Sequence, residues 1–183
     1  KLDTLTKEDI LVLAGSIPNT LPEDIYEKIL ASLESKGIRV VVDATKDLLL
    51  NVLKYHPFLI KPNNHELGEM FGTVCKTDED IVHYAKKLQE KGAVNVLISM
   101  AGDGAILITE DGQNIKMGTP KGKVVNSVGA GDSMVAGFIT GYIRGGNYEE
   151  ALKSGTAAGS ATAFSEGLAS LEMYEKMLKQ ITE

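Results

Sequence analysis

The sequence has a single cysteine, Cys75, and no stretch dense in lysine or arginine. One thiol cannot close an internal disulfide, and by itself it reads as a small packed side chain. With no basic stripe and a formal net charge of −6, the chain lacks the means to displace counterions from a phosphate backbone. Nucleic acid is therefore not an expected partner. No apolar run approaches the roughly 20 residues that a membrane-spanning helix needs, and the opening stretch KLDTLTKEDI has no signal-peptide core. No membrane association is expected, and the cytoplasm is the expected location. His56, His65 and His83 show no metal-ligand spacing with Cys75. An initiator methionine is also missing, and the first residues read as the tail of an element, so a longer gene product is expected.

What is present is 183 residues, 43% hydrophobic and 24% charged, enough for one domain with a sizeable core. Short apolar runs alternate with helix-length periodic segments. DILVLAGS (9–16), IRVVVDA (38–44), PFLIK (57–61) and AVNVLISM (93–100) read as strands. Between them, Pro22 starts a helix with Ile25, Ile29 and Leu33 on one face and Gly37 as its left-handed stop; a second helix covers 45–54. Thr77 and Asp80 form a capping-box pattern ahead of Ile81, Ala85 and Leu88, and Gly92 ends that helix. GAILIT and NIKMGT, joined by EDGQ, read as an antiparallel pair. Beyond KVVN the pattern is helical over 130–144, 148–164 and 170–182. No repeat or low-complexity linker divides the chain. The alternation predicts an α/β fold, a doubly wound and mostly parallel sheet with helices on both faces.

In such sheets ligands gather at the carboxyl ends of the strands. There the sequence places Gly15-Ser16, Asp43, Lys61-Pro62-Asn63, Ser99 and the segment NSVGAGDSMVAGF (126–138). In the last of these, Gly129, Ala130 and Gly131 let the backbone approach a ligand at a helix N-terminus, where unpaired N–H groups form an anion hole. Two common phosphate motifs do not fit. A Walker A loop needs a lysine after its second glycine, where this chain has Asp132, and a dinucleotide fingerprint needs a third glycine, where it has Met134. An NAD-binding domain also needs an acid at the end of a second strand, whereas Glu149 and Glu150 fall in a helical pattern. A carboxylate at an anion hole suits a base that takes a proton from a hydroxyl attacking phosphate. The competing reading makes Asp132 a simple N-cap over a tight glycine turn.

The segment NSVGAGDSMVAGF resembles the C-terminal signature of the ribokinase-like (phosphofructokinase B type) sugar kinases, in the branch acting on hexose phosphates. LAGSIP (13–18), LIKPNNHELGEMFG (59–72) and ISMAGDGAILI (98–108) follow the family's order at fitting separations. The resemblance covers essentially the whole chain and implies that 1–183 is the C-terminal nucleotide-binding and catalytic part of such a kinase. The family's first strands and small lid have no counterpart in these residues. It implies transfer of the ATP γ-phosphate to a ketohexose phosphate, with fructose 1-phosphate first and tagatose 6-phosphate second. Asp132 is then the catalytic base, and the amides of Gly129, Ala130 and Gly131 are the anion hole. Asn63 and Glu66 match the family's Asn-x-x-Glu motif, in which Glu66 holds Mg²⁺ through water. Lys61, Asn63, Ser99, Gly102, Gly104, Ser127 and Val128 are expected to line ATP, and Ser16 and Asp43 the sugar. His65 is assigned to the surface. The small-residue stretch AAGSATAFSEG (157–167) fits either an adenine site or close helix packing. A homodimer is among the expected assemblies. A non-catalytic nucleotide-binding remnant of a kinase is the alternative of a different class; the intact Asp132 speaks against it, and the missing lid for it.

Overall fold

A computed structural model describes residues 2–182. Its strands are β1 (Ile10–Ala14), β2 (Arg39–Asp43), β3 (Leu59–Ile60), β4 (Asn95–Ser99), β5 (Ala105–Ile108) and β6 (Asn114–Met117). They form one six-stranded sheet in chain order, β1-β2-β3-β4-β5-β6, and the first four are parallel. The expected doubly wound α/β class is the one observed. Every valine of β2 is buried, as are all the apolar residues of β3 and β4. Strands covered on both faces read as continuous apolar runs instead of alternating ones.

β3 is shorter than the PFLIK stretch predicts. Lys61 N–H still donates to the Val42 carbonyl at 3.3 Å, but Pro62 has no N–H with which to continue the ladder. The β5–β6 turn closes with Thr109 N–H donating to the Gln113 carbonyl at 3.0 Å, as the EDGQ reading predicts.

The chain divides into two compact units. The first runs to Ile98 and includes Ile108–Gln113; the second comprises Ser99–Leu107 and the chain from Asn114 onward. In the first unit, α1 (Ile25–Leu33) begins later than Pro22 predicts. Pro22 instead opens a tight turn, its carbonyl accepting from Ile25 N–H at 3.1 Å. A 3₁₀ turn follows, and Gly37 is the left-handed stop at φ +65°. The helix α2 (Lys46–Val52) is also shorter than expected and passes into a second 3₁₀ turn that ends at His56, φ +51°. Next come α3 (Asn64–Met70) and α4 (Asp78–Glu90). In α4 the Thr77–Asp80 capping box is formed in both directions. The backbone N–H groups of Lys76 and Thr77 hold the Asp80 carboxyl below its ordinary range. Cys75 is buried, and burial pushes its thiol up, which keeps it protonated and unreactive.

The second unit contains α5 (Ala130–Gly145), α6 (Tyr148–Ala163) and α7 (Leu171–Thr182). α5 and α6 approach so closely that side chains are excluded at the crossing. A Cβ on Gly141 would lie 2.5 Å from the Glu150 carbonyl oxygen, and one on Gly137 would lie 2.6 Å from that of Ser154. On α6, Ala157 and Ala161 pack with Met177 of α7. Helix packing thus accounts for the small residues of 157–161. Gly141→Ala should force the two helices apart, an overpacking cost of about 1–3 kcal/mol. The melting temperature should fall by about 2–12 °C, as read by thermal circular dichroism.

Candidate active site

In the first unit the site grows from the carboxyl ends of β1, β2 and β3. β2 and β3 are in parallel register with Val42 opposite Ile60, so the next residues, Asp43 and Lys61, are neighbours. Their side chains meet, Lys61 Nζ lying 3.2 Å from Asp43 Oδ2, with side-chain exposures of only 8% and 19%. Lys61 was expected at a strand end facing phosphate charge; its burial and its pairing with Asp43 are what the sequence does not disclose. Gly15 takes φ +84° and its N–H donates to the Asp43 carbonyl at 3.1 Å. Tyr26 donates its phenol O–H to the carbonyls of Ala14 and Gly15. Burial first, and the Asp43 charge second, push that phenol above its usual range. Ser16, next along the loop, is exposed.

Two residues after Lys61, Asn63 caps α3. Its Oδ1 accepts from the N–H groups of His65 and Glu66 at 2.9 and 2.8 Å, while Glu66 Oε2 accepts from Asn63 N–H at 2.8 Å. The family motif is thus also a capping box, and each side chain fixes the other. Among the described residues, Glu66 Oε1 and Asn63 Nδ2 have no protein partner, which leaves one carboxylate oxygen and one amide donor available. No cluster of three or more His, Cys, Asp or Glu able to hold a metal occurs among the described residues. A Mg²⁺ that keeps several waters and uses one or two carboxylates fits this donor set; an ion needing an all-protein cage does not. His65 is exposed, as expected.

In the second unit, the glycine turn differs in detail from the expectation. Gly129, at φ +79°, is the N-cap of α5, so Asp132 is not the cap but the third helical residue. Its carboxylate is exposed and makes no hydrogen bond or ion pair among the described residues. Ala130 N–H is engaged by the Ser127 carbonyl at 3.2 Å. Among the described residues, the amides of this turn without a partner are those of Gly129, Gly131 and Asp132, at the positive end of the helix dipole. A set of open donors beside an open carboxylate can hold an anion and accept a proton.

The turn is anchored by a residue that the sequence reading did not single out. Asn126 Oδ1 accepts from Val128 N–H at 3.0 Å, and its Nδ2 donates to the Glu166 carbonyl at 3.1 Å. Ser133 and Thr162 join α5 to α6 at 2.8 Å. Ser127 and Val128 are exposed, Val128 at 78%. Asn126→Ala should leave the fold standing but loosen this turn, read as faster amide hydrogen exchange at residues 127–131.

The segment 99–104 forms a tight turn: Met100 N–H donates to the Gly104 carbonyl at 2.8 Å, and Thr119 Oγ1 donates to the Ala101 carbonyl at 3.0 Å. Ser99 is half-buried, Gly102 is exposed with open space around it, and Gly104 is buried against Met117. The glycine at 104 is thus accounted for by the chain's own backbone. A cavity of about 520 Å³ follows Ser16 in the first unit, lined by Ile17, Pro18, Asn19, Leu21, Glu23 and Asp47 among others. Its two carboxylates make it a poor phosphate site.

The profile of the pfkB family of carbohydrate kinases matches residues 1–173. The chain is 50% identical over 181 residues to a 1-phosphofructokinase of Bacillus subtilis, covering 99% of this chain and 59% of that protein. It is 38% identical over 172 residues to a D-tagatose-1-phosphate kinase of Bacillus licheniformis, covering 93% and 56%. Among solved structures, phosphofructokinase-2 of Escherichia coli in complex with substrates and products superposes with a TM-score of 0.91 at 26% identity, covering 100% and 60%. The chain therefore spans about three-fifths of the length of these relatives. The tagatose relative is named for a 1-phosphate, in place of the 6-phosphate expected as runner-up. Matched over residues 1–173, up to the first turn of α7, the chain belongs to the pfkB family of carbohydrate kinases.

Proposed function

We propose that residues 1–183 are the nucleotide-binding and catalytic part of an ATP-dependent sugar-phosphate kinase that acts on a ketohexose phosphate. The observation that carries this is the Asp132 carboxylate, exposed and without a partner in the turn that leaves three backbone amides open. In the reaction Asp132 takes the proton of the attacking sugar hydroxyl. The amides of Gly129, Gly131 and Asp132 receive the negative charge of the phosphoryl group in transfer, and such positioning and electrostatic stabilisation is most of what these enzymes supply. Asn63 and Lys61 contact the ATP phosphates. Glu66 would help hold Mg²⁺, and the ion would supply neutralisation of charge on the phosphates. The turn at 99–104, with Ser99 and Gly102 open, borders the nucleotide.

Fructose 1-phosphate, phosphorylated on its 6-hydroxyl to fructose 1,6-bisphosphate, is the substrate favoured by the 50% identical relative. Tagatose 1-phosphate is the second reading, favoured by the 38% identical one. The kcat/KM of the complete gene product on each sugar phosphate decides between them. A protein that binds ATP but phosphorylates neither, nor tagatose 6-phosphate, would be the non-catalytic remnant instead.

A further prediction concerns Glu66. Glu66→Gln keeps a side chain able to accept the Asn63 N–H, so the cap and the melting temperature should be nearly unchanged. Loss of the anionic oxygen should raise the Mg²⁺ concentration needed for half-maximal activity by about tenfold or more. An unchanged Mg²⁺ dependence would return Glu66 to being a capping residue only.

A further inference from the structure

Lys61 is 7% exposed, and Asp43 is its one ion-pair partner among the described residues. An ammonium group has three N–H donors, and burying it is costly unless it is paired and hydrogen-bonded. One carboxylate contact at 3.2 Å leaves this group under-coordinated, as suits a cation awaiting a second anion. The surroundings fix the backbone that carries this carboxylate. Asp43 closes β2 in register with β3, and its carbonyl accepts from Gly15 N–H. Tyr26 spends its O–H on the carbonyls of Ala14 and Gly15.

We propose that Asp43 is a positioning residue for Lys61 and not a sugar ligand: it holds the buried ammonium in place at the end of β3, two residues before Asn63, ready to take up polyphosphate charge. The inference rests on the kinase reading and deepens it. Asp43 anchors the lysine at one donor, and the phosphates of Mg-ATP supply the missing acceptors. Without Asp43, the ammonium is left buried without its anchor, and its side chain is free to turn away from this position.

The test is a double-mutant cycle in the complete gene product, with Mg-ATP affinity read by calorimetry and folding by circular dichroism. Lys61→Met and Asp43→Asn should each weaken Mg-ATP binding by about tenfold or more. The double variant Asp43→Asn/Lys61→Met, which removes both charges, should bind no more weakly than Lys61→Met alone. In turnover, the KM for ATP should rise more than kcat falls. A merely structural pair would lower the melting temperature of the single variants and leave the affinity of the folded protein unmoved. If Asp43→Asn does not fold, Asp43→Glu keeps the charge while displacing the carboxylate, and should weaken binding several-fold with little loss of stability. Unchanged or tighter binding in the folded Asp43 variants overturns the proposal, as does a double variant in which the two losses multiply. Either result leaves the kinase reading intact so long as the wild type turns over; a wild type that neither binds Mg-ATP nor transfers phosphate overturns both.

Discussion

Asp132→Asn is expected to lower the kcat of the complete gene product by about 10² to 10⁴, the usual cost of losing a general base, while the melting temperature and ATP affinity stay near wild type. The separation of these quantities follows from the local geometry. Gly129, not Asp132, is the N-cap of α5, so the substitution removes no cap. What it removes structurally is a negative charge in the first helical turn, worth typically 0.3–1 kcal/mol at an exposed position. The side chain has no partner to orphan, and asparagine occupies the same volume. The open amides of Gly129, Gly131 and Asp132 belong to the backbone and survive the change, so an anion should still bind. Steady-state kinetics beside calorimetry checks both halves. A variant with near-normal kcat would show that the attacking hydroxyl needs no base at 132. One that unfolds would show the carboxylate to be structural after all.

Much of this arrangement is legible in the sequence because its causes are local. The valine run of β2, the Thr77–Asp80 box, Gly37 after α1 and the glycine turn before α5 each act within a few residues, and the structure forms each of them. The Asn63–Glu66 box was equally local. Its spacing is that of a capping pattern, but it reads first as a metal motif, and the structure gives it a geometry that serves both uses.

What the sequence conceals is set by register. Asp43 and Lys61 are far apart in the chain and meet only because β2 and β3 pair in parallel with Val42 opposite Ile60. Nothing in either segment alone marks them as a pair. Asn126 is hidden for a similar reason, since one of its two bonds goes to a carbonyl 40 residues ahead. Positive φ at Lys46, His56 and Ala101 is invisible as well, because no glycine announces it. The late start of α1 shows a local signal with two meanings: Pro22 suits the first turn of a helix and the corner of a tight turn equally, and here it makes the turn.

The same ambiguity attaches to Gly104, and a substitution there resolves it. A glycine near a nucleotide can be needed for the ligand or for the fold, and the geometry favours the fold. Gly104 sits at φ +91°, ψ −134°, a region essentially closed to residues with a Cβ. A Cβ built there would lie 2.0 Å from the Met117 carbonyl oxygen and 2.9 Å from Gly118 Cα. Neither contact is a flexible side-chain end, so β6 or the turn itself would have to move. Moving the turn would strain the Met100 N–H to Gly104 carbonyl bond of 2.8 Å. Strained backbone of this kind costs about 1–3 kcal/mol, and the clash adds to it, so Gly104→Ala should lose about 3 kcal/mol or more. For a chain of this size that is a fall on the order of 10 °C in melting temperature. Well below that temperature, the molecules that remain folded should bind ATP with nearly wild-type affinity, because no open face of Gly104 is lost. The opposite pattern, an unchanged melting temperature with ATP binding abolished, would place the nucleotide against Gly104 itself and make its glycine a requirement of the ligand.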